Sequence, residues 1–240
     1  MAKKAKKIGS LYLIPTTLGD NEPLEVLPLS VKRTIESITY FIVENEKSAR
    51  RFIKKIHPRK SQKSLLLMAL NKFTDPGQIP GFLDPCLQGH DVGVLSEAGS
   101  PAVADPGAEV VILAHEKGIP VIPLVGPSSL LLALMASGLN GQQFAFHGYL
   151  PIEKSERKKM IKALEKESRE KGQTQLFIET PYRNNSLIDD LLATLSKDTY
   201  LCIATDLTLP AEFISTKKVF EWKENVPDLH KRPTMFLLKA

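Results

Sequence analysis

Short apolar runs alternate with amphipathic stretches along the first half of the chain. The runs at 9–14, 39–44, 63–69, 92–95 and 119–124 read as strands, and the patterns at 28–37, 46–56, 77–88 and 107–117 read as helices. Strands alternating with helices signal repeated βαβ units, hence a parallel sheet with right-handed crossovers. Pro123, Gly126 and Pro127 then interrupt the pattern, which divides the chain into 8–125 and 126–240. The second part opens with a helix from Ser128 to Ser137, ended by Gly138. Strands follow near 143–147, 174–179, 199–204, 212–220 and 234–239. The last three have no long helix between them, so at least one pairing is antiparallel. Glu212 to Trp222 reads as a hairpin strand. The predicted fold class is α/β, in two lobes: a parallel sheet first, a mixed sheet second.

One connection stands out, Leu95 to Gly107. Val92 to Leu95 reads as a buried strand, and Asp105 as N-cap, Pro106 at the first position and Glu109 in the first turn predict the helix after it. Between them Ala98, Gly99 and Ser100 are small enough for a ligand to touch backbone. Open α/β sheets hold their ligands at the carboxyl ends of strands. A tight, well-capped turn with no ligand fits the same residues.

With 240 residues, 42% apolar and 25% charged, the chain can bury a sizeable core in one large domain or two small ones. No apolar run reaches the ~20 residues of a membrane span. Met1 to Lys7 carries four lysines without an apolar stretch behind it, so it does not read as a secretory leader. Cys86 and Cys202 lie far apart in apolar surroundings and read as reduced and buried, which points to the cytoplasm. The net charge of +5 suits a polyanionic partner. Residues 153–172 hold eight Lys/Arg against five Glu, densest at Arg157-Lys158-Lys159, although a solvated helix face gives the same pattern. The chain has no G-x-G-x-x-G, P-loop, HExxH, cysteine cluster or G-x-S-x-G elbow. Dinucleotide, NTPase, zinc and α/β-hydrolase readings therefore lack support, and no metal is expected.

Ser96-Glu97-Ala98-Gly99-Ser100-Pro101, followed by Asp105-Pro106-Gly107, resembles the central motif of the tetrapyrrole methylase family. The likeness is strongest to that family's branch of ribosomal RNA ribose 2′-O-methyltransferases. Tyr12-Leu13-Ile14-Pro15-Thr16, Pro123 to Ser129, Gly148-Tyr149-Leu150-Pro151 and Phe177-Ile178-Glu179-Thr180 resemble further motifs of the branch, in order. The resemblance implies S-adenosyl-L-methionine as methyl donor and ribosomal RNA or the small ribosomal subunit as partner. It also implies a homodimer and no membrane association. Carried over position by position, it implies cofactor contacts at Pro15, Ser96, Ala98, Gly99, Ser100, Val103, Ala104, Ser128, Ser129, Leu150, Pro233 and Thr234. Simple capping of the helix is the competing role for Ser128 and Ser129.

Methyl transfer from a sulfonium needs positioning more than a strong base, yet a sugar hydroxyl must still lose its proton. Glu44 and Glu179, each at the carboxyl end of a strand, are the catalytic candidates. Their competing role is to complement a helix dipole, with Thr180-Pro181 starting the helix after Glu179 and Arg183 pairing across i,i+4. The acceptor-side motifs depart from the branch. Glu44-Asn45-Glu46-Lys47 stands where it has E-D-T-R, and Ala204-Thr205-Asp206-Leu207-Thr208-Leu209 where it has A-R-E-L-T-K. Two alternatives stay open: a methyltransferase acting on a tetrapyrrole or other small molecule, and a non-catalytic protein binding the donor or RNA. Phe213, Phe220 and Trp222 are candidates for the dimer surface, with the second lobe's own core as the competing place for them.

Overall fold

The computed structural model describes residues 7–222 and 224–240; most of the basic tail, residues 1–6, lies outside them. The chain divides into two compact units between Pro127 and Ser128.

The first unit runs β1 (Leu11–Ile14), α1 (Pro23–Val26), α2 (Leu29–Ser37), β2 (Tyr40–Val43), α3 (Glu46–Ile56), β3 (Leu66–Ala69), α4 (Asp84–Leu87), β4 (Val92–Leu95), α5 (Ala108–Glu116) and β5 (Val121–Pro123). All its strands are parallel, in the order β3-β2-β4-β1-β5. Both faces of the sheet are covered, which is why β2 and β4 are continuous apolar runs rather than alternating ones. Ile14, Phe41, Val43 and Leu95 pack with Val31, Ile35, Ile53 and Ile56 from α2 and α3 on one face. Leu11, Ile42, Val92 and Val94 pack with Leu83, Cys86, Val110 and Ala114 on the other. Gly93 makes the central strand pairing feasible. A Cβ there would stand 2.6 Å from Ile14 Cδ1 and 3.0 Å from Phe41 Cδ1.

The second unit runs α6 (Ser129–Ser137), β6 (Phe144–Tyr149), α7 (Lys154–Lys171), β7 (Thr174–Ile178), α8 (Asn184–Thr194), β8 (Tyr200–Thr205), β9 (Phe213–Lys218), α9 (Val219–Trp222) and β10 (Thr234–Lys239). Its sheet has the order β6-β7-β10-β8-β9; β6 and β7 are parallel and every other pairing is antiparallel. Ile161 and Leu164 of α7 and Leu187, Ile188 and Leu191 of α8 bury one sheet face with Phe177, Leu201, Ile203 and Phe236. Gly138, at φ 69°, ends α6 as expected.

Four local expectations are corrected. The stretch 77–88 is not one α-helix: Pro76–Leu83 is a 3₁₀ segment that passes into α4. Pro80 and Pro85 remove the amide donors that an α-helical ladder would need. Asp105 does not cap α5, whose N-cap is Gly107 at φ 127°. Thr180-Pro181 does not open α8, which begins at Asn184 after Arg183. Finally, Glu212 to Trp222 is a strand followed by a helical turn, and that turn carries Trp222 into the core. Trp222 is 0% exposed and its indole N–H donates to Leu201 O at 2.9 Å, so it is not a surface residue. Phe213 packs partly against the same core, and Phe220 alone of the three is exposed.

Candidate active site

Strand order fixes where the first unit can hold a ligand. From β1 the chain leaves toward β2, on one side of the sheet; from β4 it leaves toward β5, on the other. β1 and β4 are neighbours, with Ile14 opposite Leu95. Connections diverging from adjacent parallel strands open a crevice at their carboxyl ends. Pro15-Thr16 leaves β1 there, and Ser96 begins the small-residue loop there. Thr16 N–H donates to Gly99 O (2.9 Å), Ser96 Oγ donates to the same oxygen (2.9 Å), and Ser100 Oγ donates to Pro127 O (3.3 Å).

The loop is wound through unusual backbone. Gly99, Ala102, Ala104 and Gly107 have φ of 74°, 64°, 62° and 127°. Left-handed alanines cost about 1–3 kcal/mol each, and such strain gathers at ligand sites. The winding leaves Ala98, Val103 and Ala104 exposed while Ser96 and Gly99 are buried.

Three carboxylates converge on this loop. Glu44 follows β2, whose last residue Val43 also pairs with Leu95. Burial, then the charge of Glu97, raises the Glu44 pKa. Burial, then the charges of Glu44 and Glu97, pushes Asp105 from 3.8 up to about 6. Glu97 Oε1 accepts a hydrogen bond from Ser48 Oγ at 2.5 Å. Glu97 and Asp105 were not among the expected catalytic groups, because strand order, which brings Glu44 to them, is not readable from one sequence.

A cavity of about 360 Å³ opens beside them, lined by Thr16, Asn21, Ser48, Arg51, Phe52 and Glu97 among others. α3 forms one wall. Asn45 caps it, its Oδ1 accepting from Lys47 N (2.9 Å) and Ser48 N (3.3 Å), and its apolar stripe Ala49-Ile53-Ile56 is buried. That leaves its cations outward. Residues 47–63 hold eight Lys/Arg and no Asp or Glu, a signal a windowed charge count would have found. Lys55 is paired with Asp20 (2.8 Å), lowering the Asp20 pKa chiefly through that hydrogen bond. The Arg51 guanidinium makes no hydrogen bond or ion pair to a described residue.

The basic run expected at 153–172 behaves otherwise. Arg157 is 5% exposed and donates through Nε and Nη2 to Asp190 Oδ2 (2.9 and 2.5 Å) and through Nη1 to Ile152 O (2.8 Å). It is an internal brace of the second unit, not a contact for a polyanion.

The remaining expected residues belong to the second unit. Ser128 is the N-cap of α6 but makes no side-chain capping bond, so capping does not account for it. Leu150 is buried in the core. Thr234 Oγ1 donates to Arg232 O and lies 3.0 Å from Thr205 Oγ1, while Pro233 O accepts from Asp206 N (2.9 Å). Glu179 Oε1 accepts from Thr180 N and from Arg183 Nε and Nη2 (2.6, 3.0 and 2.6 Å), and its buried Oε2 has no partner. Among the described residues no group of His, Cys, Asp and Glu is arranged to hold a metal ion.

A parallel-sheet unit followed by a mixed-sheet unit is a fold shared with solved methyltransferase structures. The crystal structure of the methyltransferase CobJ superposes with a TM-score of 0.64 over 97% of this chain and 94% of that one, at 16% identity. Uroporphyrin-III C-methyl transferase from Thermus thermophilus, complexed with S-adenyl homocysteine, gives 0.55 over 97% and 98%, at 17% identity. Residues 10–221 match the family Tetrapyrrole (Corrin/Porphyrin) Methylases, and the chain belongs to that family. Its curated relatives include proteins named ribosomal RNA small subunit methyltransferase I. The protein from Buchnera aphidicola subsp. Schizaphis graminum is 27% identical, covering 97% of this chain and 78% of its own length. That from Halalkalibacterium halodurans is 32% identical, covering 83% and 65%. That from Escherichia coli O157:H7 is 29% identical, covering 89% and 70%.

Proposed function

We propose that the chain is an S-adenosyl-L-methionine-dependent methyltransferase that methylates a ribose 2′-hydroxyl of small-subunit ribosomal RNA in the cytoplasm. The observation that carries this reading is the left-handed small-residue loop at the β1/β4 divergence, in a chain similar over most of its length to ribosomal RNA small subunit methyltransferases I. The residues of the first unit's loop fit the donor: exposed backbone at Ala98, Val103 and Ala104 suits a nucleoside. When bound, S-adenosyl-L-methionine supplies a methyl group activated by its sulfonium. Asp105, raised to about 6 by burial and then by the charges of Glu44 and Glu97, receives the proton of the acceptor hydroxyl in its ionised form, beside Glu44, itself raised by burial and by Glu97. Arg51, Phe52 and the outward lysines of α3 hold the acceptor strand, the ring by stacking and the cations on phosphates. Among the described residues no helix is long and apolar enough to cross a membrane.

The test is transfer of tritiated methyl groups into small ribosomal subunits from cells lacking the gene. Labelled 2′-O-methyl nucleotides are expected, and Arg51→Gln should weaken subunit binding and lower its salt slope by about one. Labelling of a tetrapyrrole instead would replace the acceptor. Binding of the donor without turnover on either would leave the non-catalytic reading. We also propose the homodimer that the resemblance implies. The exposed Leu131 and Met135 of α6 replace Trp222 as its candidate surface, and a monomer mass in light scattering would reject it.

A further inference from the structure

The second unit carries an aromatic surface that none of the roles above uses. Tyr182 lies in the turn between β7 and α8 and is 69% exposed, unusual for a ring with neighbours built to hold it. His230 stands edge-on to it at 6.0 Å, and the Lys231 ammonium lies 5.9 Å from the ring centroid. Lys231 is left-handed, at φ 61°, and its N–H donates to Pro181 O at 3.0 Å, tying the two loops together. Three further bonds fix them: Asn184 Nδ2 to Arg232 O (2.7 Å), Asn185 Nδ2 to Asp228 Oδ1 (2.7 Å) and Leu229 N to Asn185 Oδ1 (2.8 Å). On the other side of Tyr182, Arg183 is held by the buried Glu179 through Nε and Nη2, leaving Nη1 without a hydrogen bond to a described residue. Asp228, in the same loop as His230, is occupied by Asn185 and the His230 amide, hydrogen bonds that lower its pKa.

We infer that this surface is a stacking platform for an unpaired nucleotide of RNA, its base on the Tyr182 ring and its phosphates on Lys231 and Arg183. Lys231 lies over one face of the ring, which leaves the opposite face for a base. An exposed, rigidly framed ring beside cations is how proteins hold single strands, because every base offers a π face and every linkage a charge. The inference rests on the RNA reading of the protein, which selects a nucleotide over other flat anions. It assigns Glu179 as a positioning residue for Arg183.

The experiment measures binding of the full chain to single-stranded oligoadenylate and to an RNA duplex, beside methyl transfer into small subunits. Tyr182→Ala should bind oligoadenylate about ten-fold more weakly while Tyr182→Phe stays near the parent. Lys231→Gln should lower the salt slope by about one. Duplex affinity, donor affinity and melting temperature should not change, since the ring is exposed. Parent-like oligoadenylate affinity in Tyr182→Ala, with the parent chain methylating subunits, overturns the platform alone. A parent chain that binds no RNA and labels no subunit overturns the RNA reading, and the platform with it.

Discussion

Replacing Asp105 with asparagine tests the site through stability and activity together. A carboxyl whose pKa is higher folded than unfolded binds its proton more tightly in the native chain. The folded state therefore loses stability as pH rises from about 4 through 6, and the loss is complete above that. The rise from 3.8 to about 6 corresponds to about 3 kcal/mol at about 1.4 kcal/mol per pH unit. Asp105 is only half-buried, and solvent screening cuts this to about 1–2 kcal/mol. Asp105→Asn should be more stable than the parent by that amount at neutral pH, a gain of a few degrees in melting temperature, and equal to it below about pH 4. Methyl transfer should move oppositely. Activity of the parent should climb through pH 6 as Asp105 ionises, and the variant should lose about 10²–10⁴-fold. Calorimetric melting across pH 4–8 and initial rates on small subunits read the two effects. Glu97→Gln should shift the activity limb to lower pH, because it removes one of the charges that raise Asp105. No stability gain at neutral pH would refute the buried-carboxylate argument, and a fully active Asp105→Asn would refute its catalytic use.

Two further perturbations separate scaffold from site. Gly99→Ala places a Cβ 3.0 Å from Leu18 Cδ2 and 3.3 Å from Pro127 O at a φ of 74°, so it should lose about 1–3 kcal/mol of stability in urea melts as well as donor affinity in calorimetry. Donor affinity unchanged in the folded variant would move the ligand off this loop. Asp190→Ala strands the buried Arg157 and should cost about 3–5 kcal/mol in the same melts, whereas Lys159→Gln should alter neither stability nor the salt slope of RNA binding.

The first sheet and the small-residue loop after β4 were legible because close packing leaves a compositional trace. Val92-Gly-Val-Leu95 reads as a strand buried on both faces, as it is, and Ala98-Gly99-Ser100 as a small-residue loop that suits either a ligand or a tight turn. The winding of the loop left no such trace. Alanine at 102 and 104 carries no mark of a left-handed φ, so Asp105-Pro106 looked like the ordinary start of a helix when Gly107 begins it. Trp222 misled for a related reason. Its surroundings alternate like an edge strand, and the turn that swings it inward is set by packing against Leu201 rather than by local preference. Arg157 looked like the peak of a basic surface because its partner Asp190 is 33 residues away, beyond any window of charge counting.

Charge placement resolves a tension in the site. Three carboxylates beside an RNA strand would repel it, and a proton acceptor must nevertheless be anionic when it acts. The structure separates the two requirements. Most lysines of α7 are answered by acids close by: Lys159 by Glu156, Lys166 by Glu170, Lys171 by Glu167, and Lys154 and Lys158 by Asp190. Their field is local and short. The run 47–63 has no acid of its own, and its helix begins three residues past β2, at the same sheet end as Glu44, Glu97 and Asp105. Of the cations on α3, Arg50 pairs with Glu46 and Lys55 with Asp20 and Glu22, while Arg51 makes no ion pair to a described residue; burial and the neighbouring carboxylates meanwhile raise the Asp105 pKa to about 6. The proton-accepting form of Asp105 therefore predominates near neutrality. On the proposed reading, affinity for RNA and basicity toward its hydroxyl come from different residues on adjoining elements, so Arg51→Gln and Asp105→Asn should fail in different assays.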